Sequence, residues 1–279
     1  MARRSLLLAL ACCGPSHHTA DAPPMTDAPG DAPTVTTIRE LRMHPPADGA
    51  IVTVQHVVVT AHVSSTKTGS VWVQDQGGGE YSGIHVFCNF GGAQPDCPLA
   101  RSQLDALAVG TIVDVTASFS HFTPAAGAKP QLELTAPAIS MTGDTARPTA
   151  LDVAAAAVAK DASATDPYDG GYVHVAAAVT VSSITAGEFA ATCTDRSSPP
   201  QTGSTYAGFE AAAGGATLAV GLGFYDTLTY CLPCTGVPLP YPCANPVTAT
   251  EAFTSIAGIV EPDAGFTRLA PVIDGDLAQ

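Results

Sequence analysis

The residues best able to do chemistry here are the cysteines, eight histidines, a few clustered aspartates and a single tryptophan, Trp72. Cys88 and Cys97 have eight residues between them, as do Cys234 and Cys243, and both stretches are rich in Gly and Pro. That spacing suits two short loops closed by Cys88–Cys97 and Cys234–Cys243 disulfides, leaving Cys193 for Cys231. It leaves open a zinc site built from Cys193, Cys231, Cys234 and Cys243, because Cys231-x-x-Cys234 has ligand spacing. His56 and His62 are six residues apart on one extended run, ~20 Å along a strand, too far to share an ion. His17-His18 sit together in a stretch read below as a tether. Asp166-Pro167-Tyr168-Asp169-Gly170 clusters oxygens that suit calcium, but Asp and Gly are also ordinary turn residues. The chain has no Gly-x-Ser-x-Gly, no His-Glu-x-x-His and no phosphate-cradling glycine loop. No catalytic residue, cofactor or metal site is expected.

Trp72 belongs to a constellation that two strands would create. Strand side chains alternate faces. In Val71-Trp72-Val73-Gln74-Asp75 and Ile84-His85-Val86-Phe87, inward Val71, Val73, Ile84 and Val86 turn Trp72, Gln74, His85 and Phe87 outward. Paired, the two strands place these four on one outer patch, a candidate ligand surface with aromatics to stack on a ring. The competing expectation is burial, the usual fate of tryptophan.

The N-terminus gives the address. Met1-Ala2-Arg3-Arg4 is basic, Ser5 to Ala11 is apolar and short, and Cys12-Cys13-Gly14 follows, the layout of an export signal. The run is well below the ~20 residues a membrane helix needs. Ala9-Leu10-Ala11-Cys12 resembles the lipobox of bacterial lipoproteins, which implies cleavage after residue 11, lipidation of Cys12 and a place in the bacterial cell envelope, at the outer membrane or cell surface. Otherwise the chain is secreted with two spare thiols. The repeated Asp-Ala-Pro of residues 12–35 cannot bury apolar surface and reads as an extended tether. Export to an oxidising compartment favours disulfides over zinc. Without Arg3 and Arg4 the chain has 9 basic residues against 25 acidic ones, a net of −16. Such a surface repels phosphate backbones, so nucleic acid is a poor partner.

The remaining length suits two domains, and an internal echo supports them. Asp48-Gly49-Ala50-Ile51-Val52-Thr53-Val54 resembles Asp169-Gly170-Gly171-Tyr172-Val173-His174-Val175, displaced by 121. Tyr81-Ser82-Gly83-Ile84 resembles Tyr206-Ala207-Gly208-Phe209, and each copy has a strand ending in Asp75 or Asp195 between its two echoes. The expected elements of the first copy are strands over 51–63, 70–75, 84–87, 111–122 and 131–139, with a short helix over 98–108. Five strands with a helix between the third and fourth is the layout of an OB-fold barrel. The runs Ile51 to Val59, Gly69 to Asp75 and Ser82 to Val86 look like the tandem OB-type domains of bacterial secreted proteins and lipoproteins.

The resemblance implies a mainly β protein of two OB-fold-like five-stranded barrels, residues 36–145 and 169–279. Residues 146–168 would link them through an Ala-rich helix over 149–160, and residues 253–271 would form the closing hairpin of the second. The echo of Leu107-Ala108-Val109-Gly110 in Leu218-Ala219-Val220-Gly221 places the second copy's fourth strand at 222–230, with a Cys-rich insertion as the other solution. The second copy's counterpart of the outer patch is Thr192, Thr194, Glu210 and Ala212, without an aromatic. The expected function is a non-enzymatic binding or structural role toward a sugar polymer or envelope protein. The alternative is an accessory module of an extracellular nuclease or other hydrolase encoded elsewhere.

Overall fold

Alternating apolar residues build two curled sheets in the computed structural model, which describes residues 34–64, 67–91, 97–123, 130–162, 166–184, 207–222, 228–232, 245–262 and 265–279. The first sheet comprises β1 (Thr34–Thr36), β2 (Ile51–Ser64), β3 (Thr68–Gln74), β4 (Gly83–Asn89), β5 (Thr111–Phe122) and β6 (Gln131–Thr145). Its order is β1-β2-β3-β4-β6-β5, and β5 also pairs with β2, so strands β2 to β6 close on themselves. Closure removes the unpaired edges that an open sheet presents. Val54, Val71, Val73, Ile84, Val86, Val115, Phe119 and Leu134 fill the interior. The long β2 bends at a bulge between Val54 and Val57, where His56 takes φ +54° and donates its backbone N–H to Asp114 Oδ1 at 2.7 Å. Bulges of this kind let one strand serve two directions of a curled sheet.

Two short helices finish the first core. Helix α1 (Ile38–Met43) inserts Ile38 and Leu41 into it. Its start is fixed twice: Thr37 Oγ1 accepts from Glu40 N at 3.1 Å, and the Asp75 carboxylate accepts from Ile38 N and Arg39 N at 3.1 Å each. These contacts satisfy donors that a helix start otherwise leaves orphaned. Burial nonetheless raises Asp75 above the usual carboxylate range. Helix α2 (Arg101–Asp105) lies between β4 and β5 and buries Leu104, shorter than the expected 98–108.

The second sheet repeats the wiring. It contains β7 (Leu151–Asp152), β8 (Tyr172–Val175), β9 (Val179–Ser183), β10 (Ala207–Ala213), β11 (Ala216–Leu222), β14 (Ala252–Phe253), β15 (Ser255–Pro262), β16 (Thr267–Ala270) and β17 (Leu277–Ala278), while β12 (Tyr230–Cys231) and β13 (Asn245–Pro246) pair separately. The order is β14-β9-β10-β11-β16-β15-β8-β7, with β17 on β15. β8 and β9 follow one another in the chain across a bend at Ala177 and lie toward opposite ends of this order. One sheet has a parallel pairing of β4 with β6, and the other has one of β11 with β16. In each a short strand lies parallel to the first, Thr34 beside Val52 and Leu151 beside Val173. A helical piece follows each short strand and enters the core, through Ile38 and Leu41 or through Ala155 and Val158.

Several expectations change. The helix expected over 149–160 is β7 followed by a 3-10 turn, Ala155–Val158. Pairing with β8 claims Leu151 and Asp152, and only one turn is left to plug the core. Ala207–Ala213 lies between β9 and β11 in its sheet and Ala216–Leu222 between β10 and β16, joined by Gly214 and Gly215 at φ +56° and +85°, so the echoes of Tyr81–Ile84 and Leu107–Gly110 are out of register with the sheet. Positive φ at both central residues is what a tight two-residue hairpin requires. The hairpin expected in 253–271 is β15 with β16. The strand expected at 191–195 lies outside the described residues. So do the leader, Cys12, His17, His18 and the 12–33 part of the tether.

The two sheets share a buried contact within one compact unit, Pro33–Gln279. Ala61 and Trp72 from the first meet Ile259, Ala270 and Val272 from the second. Backbones also touch: a Cβ added at Gly83 would lie 2.2 Å from the Gly170 carbonyl oxygen, so this crossing admits only glycine.

Candidate functional site

Trp72, Gln74, His85 and Phe87 lie on the side opposite Val71, Val73, Ile84 and Val86, as alternation requires, and the second sheet covers much of that side. Trp72 is 2% exposed, stacked on His85 with ring centroids 4.8 Å apart, and packed on Ile259, Ala270 and Val272. Gln74 is fully buried: its Nε2 donates to Thr149 O at 2.7 Å and its Oε1 accepts from Tyr172 N at 3.2 Å. His85 is buried as well, with its Nδ1 2.9 Å from Glu133 Oε1. Phe87, half-buried, meets His85 edge-on at 6.2 Å. The two polar ends of Gln74 tie β3 to the connection at Thr149 and to β8 at Tyr172, and neither face of Trp72 is open to a ligand in this arrangement.

Cys88 and Cys97 form a disulfide. Cys231 is also disulfide-bonded, to a partner outside the described residues, where Cys193, Cys234 and Cys243 lie. No three His, Cys, Asp or Glu side chains come together among the described residues in a way that would hold a metal. The Asp166–Gly170 turn already holds a cation of the chain itself. Arg42 donates to the carbonyl oxygens of Asp166 and Asp169 and, at 3.0 Å, of Gly83, with Tyr81 5.7 Å from its guanidinium carbon. Burial lowers the Arg42 pKa, partly offset by the charges of Asp169 and Asp166.

A groove of about 780 Å³ opens where the sheets meet. Thr60, Val109 and Thr145 contribute from the first sheet side, Ala146 to Pro148 from the connection, and Tyr172, His174, Ser255 and Ile273 from the second. Its rim is held by one carboxylate. Asp276 Oδ2 accepts from Val272 N at 2.7 Å and Ile273 N at 3.2 Å, while Oδ1 accepts the Tyr172 hydroxyl proton. Burial raises Tyr172 and Asp276 above their usual values, and the nearby Arg147 charge pulls both back. On the same wall His174 Nδ1 lies 2.7 Å from Asp152 Oδ1, with the Asp152 side chain 81% exposed. Arg147 is exposed and has no carboxylate within ion-pair distance among the described residues. The arrangement sets the exposed Arg147 and Asp152 side chains beside apolar Val109, Val272 and Ile273. Sequence reasoning missed it because its residues come from separate stretches with no shared motif.

No family model matches the chain. No curated protein matches it. Among solved structures it is similar to one described as "Crystal structure of a putative aspartyl-tRNA synthetase from Leishmania major Friedlin", at 16% identity and a TM-score of 0.31. The match covers 46% of this chain and 24% of that one, so the chain spans about a quarter of that protein's length.

Proposed function

We propose that the protein is an exported surface lipoprotein, anchored through Cys12, whose two OB-fold-like barrels bind an envelope sugar polymer or protein without catalysing a reaction. The repeated pairings, β4 parallel to β6 with β5 returning to β2, and β11 parallel to β16 with β15 returning to β8, support the barrel reading. The observation that carries the binding reading is the groove at the junction of the sheets. It joins exposed Arg147 and Asp152 to a rim fixed by Asp276. Concave sites with a few well-placed polar groups at the meeting of two folded elements are where ligands ordinarily bind. The hairpin face of the first barrel, by contrast, is spent on holding the second.

The test uses the mature lipoprotein in detergent, immobilised and challenged with a glycan array and solubilised envelope proteins. Saturable retention that weakens on Arg147→Ala supports the reading. No retention of any component, or substrate turnover that survives repurification, contradicts it.

A further inference from the structure

We infer that the groove takes a short segment of a neutral sugar with adjacent free hydroxyls; this rests on the groove being the ligand site. Charge is the first reason. The groove sets one guanidinium, Arg147, against two carboxylates, Asp152 and Asp276, within a chain of formal net charge −14. A polyanion meets no surplus positive charge there, and the surrounding field opposes its approach.

Hydrogen bonding is the second reason. Arg147 can only donate and an ionised Asp152 can only accept, whereas each sugar hydroxyl does both. Asp276 is already filled by Tyr172, Val272 and Ile273, so it shapes the rim, and ligand hydroxyls fall to Asp152, Arg147 and Ser255. With His174 Nδ1 engaging one Asp152 oxygen at 2.7 Å, the carboxylate is oriented before a ligand arrives. Adjacent hydroxyls then bridge Asp152 and Arg147, one donating and its neighbour accepting. Ile273, 39% exposed at the lip, supplies an apolar surface for the C–H face of a ring. The volume of about 780 Å³ falls within the usual range of ligand clefts, roughly 300–1,000 Å³, with room for a short oligosaccharide.

The experiment titrates the mature lipoprotein in detergent with neutral gluco-, manno- and galacto-trisaccharides by calorimetry, and with an oligogalacturonate of equal length. The expected result is binding of at least one neutral trisaccharide, weakened about tenfold or more by Asp152→Asn and by Arg147→Gln. Because the ligand is uncharged, its affinity should change less than about twofold when salt is raised. Both positions are exposed, so the variants keep the fold, which a circular dichroism melt confirms. Silence of all neutral sugars, or neutral binding indifferent to both substitutions, overturns the inference. Oligogalacturonate binding with steep salt dependence overturns it too. An envelope protein retained by the wild type and lost with Arg147→Ala would then leave the binding reading standing while the sugar assignment falls. Failure of every probe removes both.

Discussion

Trp72 points away from the interior of its own sheet and is buried all the same, because Ile259, Ala270 and Val272 lie over it. Trp72→Ala should therefore cost ~3–5 kcal/mol, the range for emptying a packed site. Denaturant melts measure this, and a loss within about 0.5 kcal/mol, as at a surface position, would refute the packing described. The single indole should also emit at short wavelength and resist iodide quenching. Tyr172 carries a pH signature. Its phenol is held above its ordinary value of 10.0 by burial first and by Asp276 second, so the folded state keeps that proton better than the unfolded chain. Stability from this group is thus fully present below pH 10 and lost as pH rises beyond it. The wild type's advantage over Tyr172→Phe should shrink as melts are taken from pH 9 to pH 11; an advantage that grows would reverse the sign. The outward side of Trp72, Gln74, His85 and Phe87 was legible from strand alternation. What covers them was not, since Ile259 stands 187 positions after Trp72.

At the scale of elements, the Cys88–Cys97 bridge ties the end of β4 to the stretch leading into α2. Replacing both cysteines by serine should destabilise the protein by about 2–3 kcal/mol, as expected for freeing a loop of this size in the unfolded chain. A melt unchanged within error would mean that the bridge constrains nothing. The β3–β4 hairpin could be read directly, because Val71, Val73, Ile84 and Val86 alternate cleanly with polar or aromatic neighbours. In the second sheet the same reasoning slipped. Leu218-Ala219-Val220-Gly221 fits any interior strand, and four apolar residues carry no register. The position of β11 is set by its parallel pairing with β16 and by the Gly214-Gly215 turn, of which only the turn leaves a trace in sequence. The Ala-rich stretch near 155 has helical propensity, yet pairing of Leu151 and Asp152 with β8 overrides it.

For the whole molecule, the likeness between the two sheets was readable at one place. The echo displaced by 121 pairs Val52 with Val173, and these hold the same position, each beside a short parallel strand. The groove was not readable, since it exists only once two sheets distant in sequence are assembled. The proposed anchor makes its own prediction: Cys12→Ser should move the protein from the membrane pellet to the soluble fraction, because each buried methylene of a lipid chain contributes ~0.8 kcal/mol. A mutant that stays in the pellet would exclude Cys12 as the attachment point. The most direct test of the account is hydrogen exchange on the full-length protein in detergent, with and without a solubilised bacterial envelope fraction. Ligand binding at the junction predicts slowed exchange in residues 145–152, 172–174, 255–257 and 272–276. Protection confined to segments outside the groove, or no protection at all, would contradict it.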